Sequence, residues 1–402
     1  MRARFTPCVL NGSAKAPPSK SMAHRLLIGA ALAKGTSLLS GVEYSEDVLA
    51  TLDCLCALGA KITRDADRVT VDPASFLQIE TAVLPCRESG STLRFLIPLA
   101  LASGKKITFL GSERLFARPL DVYDDLCREN GFLFEKGQNS LTVCGKLKAK
   151  HYCVRGDISS QFISGLLFAL VFLKKDALIE ILPPFESRGY VDLTLEALSA
   201  FGANVTFEKE YAISVKAAEL DGKPLRVEGD YSNAAFLDAF NLTGSSVAVE
   251  GLKENSAQGD RVYREYFALL DTSCPTLDVR DCPDLTPVLI ALAALKNGAT
   301  FTGTKRLRAK ESDRGAAMQE ELEKLGVSLQ VSDDSITVPK KTLRYREQPL
   351  YSHSDHRIVM ALSLILCQTG GVIEGAEAVK KSYPSFFEEI KTLGAKVELI
   401  CS

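Results

Sequence analysis

Apolar positions along the chain fall into two recurring patterns. The first is a short aliphatic stretch, rich in small residues, with polar groups confined to its opening turn. Its copies begin near His24, Thr92, Ser160, Ser232, Leu285 and His356. Neighbouring copies lie about 70 residues apart, with one shorter step between Ser232 and Leu285. Several stop at a glycine: Gly35, Gly104, Gly244, Gly298 and Gly370. A helix that is apolar on all sides belongs in an interior, so each copy predicts a buried helix. Its polar first turn is the end left to face a site.

The second pattern is an amphipathic helix that stops at glycine and runs into an alternating strand. It covers residues 52–62, 193–205, 318–329 and 386–397, with a weaker copy at 122–134. Gly59, Gly202, Gly326 and Gly394 stand where a helix C-cap needs positive φ. Near residue 270, where another copy is due, the pattern is degenerate. Each unit therefore reads as strands, a buried helix, more strand and an outer helix, which is an α/β chain. Three units make a natural half, with a boundary at residues 225–229. The expected domains are 11–227, and 1–10 plus 228–402, with a strand-like piece at 8–10 able to pair with either. A cleft between two such halves is a common ligand site.

The length of 402 residues exceeds what one core usually supports, in keeping with two domains. The net charge of −2, from 48 basic and 50 acidic residues, gives no reason to expect nucleic acid or an anionic membrane as partner. Residues 1–10 do not read as an export signal, and the apolar run 162–173 is too short to span a bilayer. The 11 cysteines are odd in number and scattered, with no C-x-x-C pair. They read as free thiols in a reducing, cytoplasmic compartment. The 4 histidines show no H-E-x-x-H spacing, so no metal site is expected.

Basic and hydroxyl residues gather where the buried helices begin. In Pro17-Pro18-Ser19-Lys20-Ser21-Met22-Ala23-His24-Arg25 the prolines disfavour helix before Ser19, which puts Lys20, Ser21 and Arg25 at a helix N-terminus. Free N–H groups and the helix dipole favour an anion there. An ordinary capped helix with surface charges is the plainer alternative. The arrangement recurs at Ser89-Gly90-Ser91-Thr92-Leu93-Arg94, followed by Arg118, and at Ser159-Ser160-Gln161. Asp284 precedes the fifth buried helix, and Asp355-His356-Arg357 opens the sixth. Between them Arg308-Ala309-Lys310-Glu311-Ser312-Asp313-Arg314 begins an outer helix, and Lys381 precedes the last one. A solvated charge cluster would explain any one of these; their recurrence favours a compact anionic ligand.

In combination these segments resemble the 5-enolpyruvylshikimate-3-phosphate synthase family over essentially the whole chain. The resemblance implies a two-domain inside-out α/β barrel, each domain built from three β-α-β-α-β-β repeats. It implies transfer of the enolpyruvyl group of phosphoenolpyruvate to the 5-hydroxyl of shikimate 3-phosphate, with no cofactor needed; the self-contained two-domain plan permits a monomer, which is the expected state. Lys20, Ser21, Arg25, Ser159, Ser160, Gln161, Ser187, Tyr190, Asp284 and Lys310 then match contacts to shikimate 3-phosphate. Lys20, Gly90, Arg94, Arg118, Gln161, Arg314, Arg357 and Lys381 match the phosphoenolpyruvate side. Asp284, Glu311, Lys20 and Lys381 are the implied catalytic groups: Asp284, assisted by Lys20, takes the hydroxyl proton, while Glu311 and Lys381 serve proton transfer at C3. Two positions depart from the family pattern: Glu88 and Arg306 stand where many members carry asparagine. The competing resemblance, to the related transferase acting on UDP-N-acetylglucosamine, lacks support in the Lys20-Ser21 and Ser159-Ser160-Gln161 segments. A repeat-built anion-binding protein without catalysis is the non-enzymatic alternative.

Overall fold

The computed structural model describes residues 1–345 and 347–401. The chain divides into two compact units, residues 18–228 and residues 1–17 with 229–402. Five of the sheets share one plan: a parallel pair extended by two antiparallel strands. In the sheet of His151–Arg155, Ala177–Leu182, Ala212–Lys216 and Asn204–Lys209, the first two strands are parallel and the rest antiparallel. A parallel pair needs a crossover, and the buried helix Ser160–Phe172 supplies it. Apart from Gln161 and Phe172, every residue of that helix is buried.

The remaining buried helices are Lys20–Leu32, Gly90–Ser103, Tyr231–Asp238, Thr286–Leu295 and His356–Thr369. Each lies at an apolar copy read from the sequence. The close approach between Gly90–Ser103 and Ser160–Phe172 depends on Gly165. A Cβ there would stand 2.3 Å from the Tyr123 hydroxyl and 2.4 Å from the Arg94 carbonyl oxygen. Phe95 and Phe168 fill the same contact, with ring centroids 5.5 Å apart.

Two expectations about organisation are corrected, and the irregular stretch near residue 270 is accounted for. The segment 11–17 goes with residues 229–402 rather than with 18–228, because Asn11–Lys15 pairs in parallel with Ser246–Glu250. The boundary therefore falls at 17/18 instead of 10/11, and at 228/229. Residues 8–10 form no strand; Arg2–Phe5 does, between Gly371–Glu374 and Val397–Ile400. The degenerate stretch near residue 270 holds a helix, Tyr263–Thr272. It was hidden because it ends on an extended Ser273, without a glycine stop. Among the described residues the sheet formed by Ser246–Glu250 has two strands, which accounts for the short step after Ser232.

Candidate functional site

Within residues 18–228, three helix beginnings carry the predicted residues. Ser19 caps Lys20–Leu32 by accepting from the Met22 N–H, so Lys20 and Ser21 occupy its first turn. Lys20 Nζ donates to Asp47 Oδ2 at 2.8 Å. Asp47 lies in the first turn of Glu46–Ala57, and no motif had pointed to it. Arg25 is buried and fully directed: it donates to Thr194 Oγ1 at 2.8 Å, the Ser21 carbonyl at 2.6 Å and the Tyr190 carbonyl at 2.8 Å. Burial pushes its guanidinium down to about 9, still charged at neutral pH. Arg25 thus ties Ser21 to Tyr190, two residues far apart in sequence.

Ser89 caps Gly90–Ser103. A Cβ on Gly90 would stand 2.6 Å from Arg118 Nη1 and 2.8 Å from its Cζ, so glycine lets the guanidinium lie against the backbone. Ser159 caps the third helix by accepting from Gln161 N–H. Gln161 joins the second and third beginnings: its amide oxygen accepts from Arg94 at 2.7 Å and its Nε2 donates to Ser91 at 2.9 Å. Arg94 also donates to the Pro119 carbonyl at 2.9 Å and is buried, which makes it a brace for Gln161. Ser187 is buried in the left-handed region, at φ 57°, just before Arg188–Ala200.

Beneath these beginnings runs a chain of neutral groups. His24 Nδ1 meets Thr51 Oγ1 at 2.7 Å, Thr51 meets Thr92 at 2.7 Å, and Thr92 meets Ser89 at 2.7 Å. It locks three helices together. Burial first, then Lys20 and Arg25, hold the His24 imidazole well below its usual range, so it is neutral.

Within residues 229–402 the predicted residues form one charged cluster. Asp284 Oδ1 accepts from Arg314 Nη1 at 2.7 Å and from Lys310 Nζ at 3.1 Å. Its Oδ2 accepts from Arg357 Nη2 at 3.2 Å, and its carbonyl from Arg357 Nη1 at 3.1 Å. Arg314 is almost wholly buried and also donates to Glu311 Oε2 at 2.8 Å and Asp355 Oδ2 at 2.9 Å. Asp355 is the N-cap of His356–Thr369, and its Oδ1 accepts from Arg357 N–H at 2.9 Å. Lys381 Nζ donates to the Ser354 carbonyl at 2.6 Å, beside that cap.

Burial alone would raise the Asp284 carboxyl, but Arg357, Lys310 and Arg314 overcome it and hold it well below the usual carboxylate range. Lys310 is pushed down to about 8, by burial first and then by Arg314 and Arg306, against the pull of Asp284. Arg306, one of the two departures, thus acts electrostatically on Lys310. Asp260, which accepts from the Ser232 hydroxyl, is raised to about 6 by burial and by Asp284. No sequence motif points to Asp260, and Asp355 and Ser312 stand within quoted segments without an assigned role; the Ser312 hydroxyl donates to Asp355 at 3.0 Å. Of these only Asp355 had a legible signal, an aspartate at the start of an apolar helix.

The EPSP synthase (3-phosphoshikimate 1-carboxyvinyltransferase) family model matches residues 6–390. The chain belongs to that family. Its reaction is the family's, enolpyruvyl transfer, and it is an enzyme. A 3-phosphoshikimate 1-carboxyvinyltransferase from Clostridium kluyveri is 40% identical, with 98% of this chain and 97% of the relative covered. One from Clostridium perfringens is 38% identical, with 97% of each covered. An EPSP synthase structure from Acinetobacter baumannii shares the α/β fold, with a TM-score of 0.78 at 22% identity over 100% of both chains. The enolpyruvyl transferase NikO from Streptomyces tendae also shares it, with a TM-score of 0.74 at 14% identity over 99% of this chain and 98% of that one. In this EPSP synthase family member, no helix among the described residues is long and apolar enough to cross a membrane.

Proposed function

We propose that the two polar clusters divide the work of enolpyruvyl transfer between them. Residues 18–228 hold the substrate phosphate: Lys20, Ser21, Arg25, Ser159, Ser160, Gln161, Ser187 and Tyr190 bind shikimate 3-phosphate, with Asp284 and Lys310 from the other unit contacting its ring. Gly90 and Arg118, joined by Lys20, Gln161, Arg314, Arg357 and Lys381, bind phosphoenolpyruvate. Arg94 acts through Gln161. The observation that carries this reading is the single carboxylate, Asp284, held at once by Lys310, Arg314 and Arg357.

That arrangement explains how an acid so strongly ionised can serve as a base. In the substrate-free protein its cations make it a weak one. The carboxylate and phosphate of phosphoenolpyruvate compete for Arg314 and Arg357, and each withdrawn bond raises the proton affinity of Asp284. A proton delivered to C3 by Lys381 or Glu311 makes C2 electrophilic. The 5-hydroxyl oxygen bonds to C2 and its proton passes to Asp284, assisted by Lys20. The tetrahedral intermediate then returns a proton from C3 to the group that delivered it, Lys381 or Glu311, and expels phosphate from C2, leaving the enol ether. The arginines stay charged throughout and hold the anions.

The finer architecture fits an inside-out α/β barrel of three β-α-β-α-β-β repeats per domain, a reading supported by the repeated sheet plan. A monomer suffices, since one chain carries both clusters, and the free thiols suit the cytoplasm. The test is phosphate release from phosphoenolpyruvate and shikimate 3-phosphate, with the organic product weighed by mass spectrometry. The 5-enolpyruvyl ether is the expected product. Turnover with UDP-N-acetylglucosamine instead would assign the chain to the other transferase. Binding of shikimate 3-phosphate without turnover would remove the catalytic roles.

A further inference from the structure

Outside the clusters described above, two groups of side chains among the described residues bring three metal-ligating atoms within 4.8 Å of one another. In the group formed by Glu320, Glu321 and His353 the cation is already present. Lys324 Nζ lies 2.8 and 2.9 Å from the two Glu321 oxygens, and His353 Nε2 is 2.8 Å from the first of them. An ammonium ion seated on the buried carboxylate leaves no place for a second charge.

The other group, His151, Cys153 and Glu180, is different in each respect. Its members stand on the exposed face of a sheet in residues 18–228. His151 and Cys153 are two apart on one strand, so they share a face, and Cys153 is directly opposite Glu180 on the parallel neighbour. His151 Nε2 is 3.0 Å from Glu180 Oε2, and Cys153 Sγ is 3.9 Å from each of them. At 3.9 Å neither sulfur contact is a strong hydrogen bond. Around a tetrahedral zinc, with bonds of about 2.0–2.3 Å, ligand atoms stand roughly 3.3–3.7 Å apart. The triangle needs changes of only a few tenths of an ångström to match. Arg155, the next residue on that face, is turned away onto Asp157, at 2.6 and 3.0 Å. On the far side of Glu180 the partner is Ala212, which is small.

We propose that His151, Cys153 and Glu180 form a surface site for a borderline-soft divalent cation of the zinc class. The ligand set selects it: a thiolate and an imidazole disfavour magnesium and calcium, and a carboxylate completes three protein ligands with one position left for water. On binding, the Cys153 thiol gives up its proton to solvent and the sulfur donates its electron pair to the metal. The cation bridges the two strands whose ends lead to Ser159 and Ser160 on one side and Ser187 on the other.

The test uses the whole chain, stripped with a chelator and kept reduced. Zinc is titrated in competition with a chromophoric chelator, and cobalt is added separately for its spectrum. One zinc is expected, with His151→Ala, Cys153→Ser and Glu180→Gln each weakening it at least about tenfold. Cobalt is expected to give a near-ultraviolet thiolate charge-transfer band and intense tetrahedral visible bands, both lost in C153S. Circular dichroism of the variants should match the parent, because all three positions are exposed. Equal zinc affinity in parent and C153S, or a charge-transfer band that survives that change, would overturn the assignment and place the metal on other exposed thiols. An octahedral cobalt spectrum would overturn it too.

Discussion

The two units frame their polar clusters in different ways. In residues 18–228 the frame under the site is mostly neutral: a histidine kept uncharged and a file of hydroxyls link the helix beginnings, and the cations sit above it. In residues 229–402 the frame is itself charged, with Arg314 shared among Asp284, Glu311 and Asp355. A neutral frame fixes position without altering the proton affinity of what it holds. A charged frame sets proton affinity directly and responds when an anion arrives. On the proposed assignment, binding and proton transfer call for different construction, and the two clusters divide them accordingly.

The largest effect that would sharpen this contrast is in Asp284→Asn, which should lower kcat by about 10³-fold while leaving the KM values near the parent's. A loss confined to KM would show Asp284 to be a binding group only. Arg314→Ala should lower kcat/KM by about 10²–10³-fold. It should also cost about 3–5 kcal/mol in urea unfolding, since it leaves buried Asp355 without its main partner. In the neutral frame the balance should reverse. Thr51→Val should cost about 1–3 kcal/mol, by stranding His24 Nδ1 while Thr92 keeps its bond to Ser89, with kcat nearly unchanged. A large drop in kcat would break the comparison.

Gly90→Ala displaces the Arg118 guanidinium and should raise KM for phosphoenolpyruvate by about tenfold, with a smaller change in kcat. The smallest effects are in pH. In its proposed role protonated Lys310 contacts shikimate 3-phosphate, so kcat/KM should fall as pH rises through about 8, and Lys310→Arg should move that limb upward. His24, with its folded value depressed, contributes stability in full above the unfolded value of about 6.5 and loses it as pH falls below. The melting-temperature gap between parent and His24→Gln should therefore narrow in acid.

Much of this was legible in the amino-acid sequence because buried helices that open on a polar turn leave a strong periodic mark. Lys20, Gly90, Ser159 and Asp355 could all be placed at helix beginnings before any coordinates. What was illegible depends on partners far away in the chain. Asp47 looks like any acid in the first turn of an amphipathic helix until Lys20 is set against it. Thr51 and Thr194 carry no motif, since a hydroxyl meeting another across helices leaves no local trace. Tyr263–Thr272 was hidden by the missing glycine stop. Segment 11–17 was assigned by position along the chain, whereas strand pairing decides where it belongs.

The placement of Arg2–Phe5 between Gly371–Glu374 and Val397–Ile400 also governs the order of events during synthesis. Residues 2–5 leave the ribosome well before either neighbour, since Gly371–Glu374 and Val397–Ile400 lie several hundred residues further along. Residues 18–228 have their own core and can finish folding while translation continues. Arg2–Phe5 meanwhile waits with unpaired backbone until residue 371 and beyond are made, a wait that exposes it to chaperones and to wrong pairings. A pause that slowed translation before residue 371 would lengthen that exposure without changing any contact in the finished enzyme.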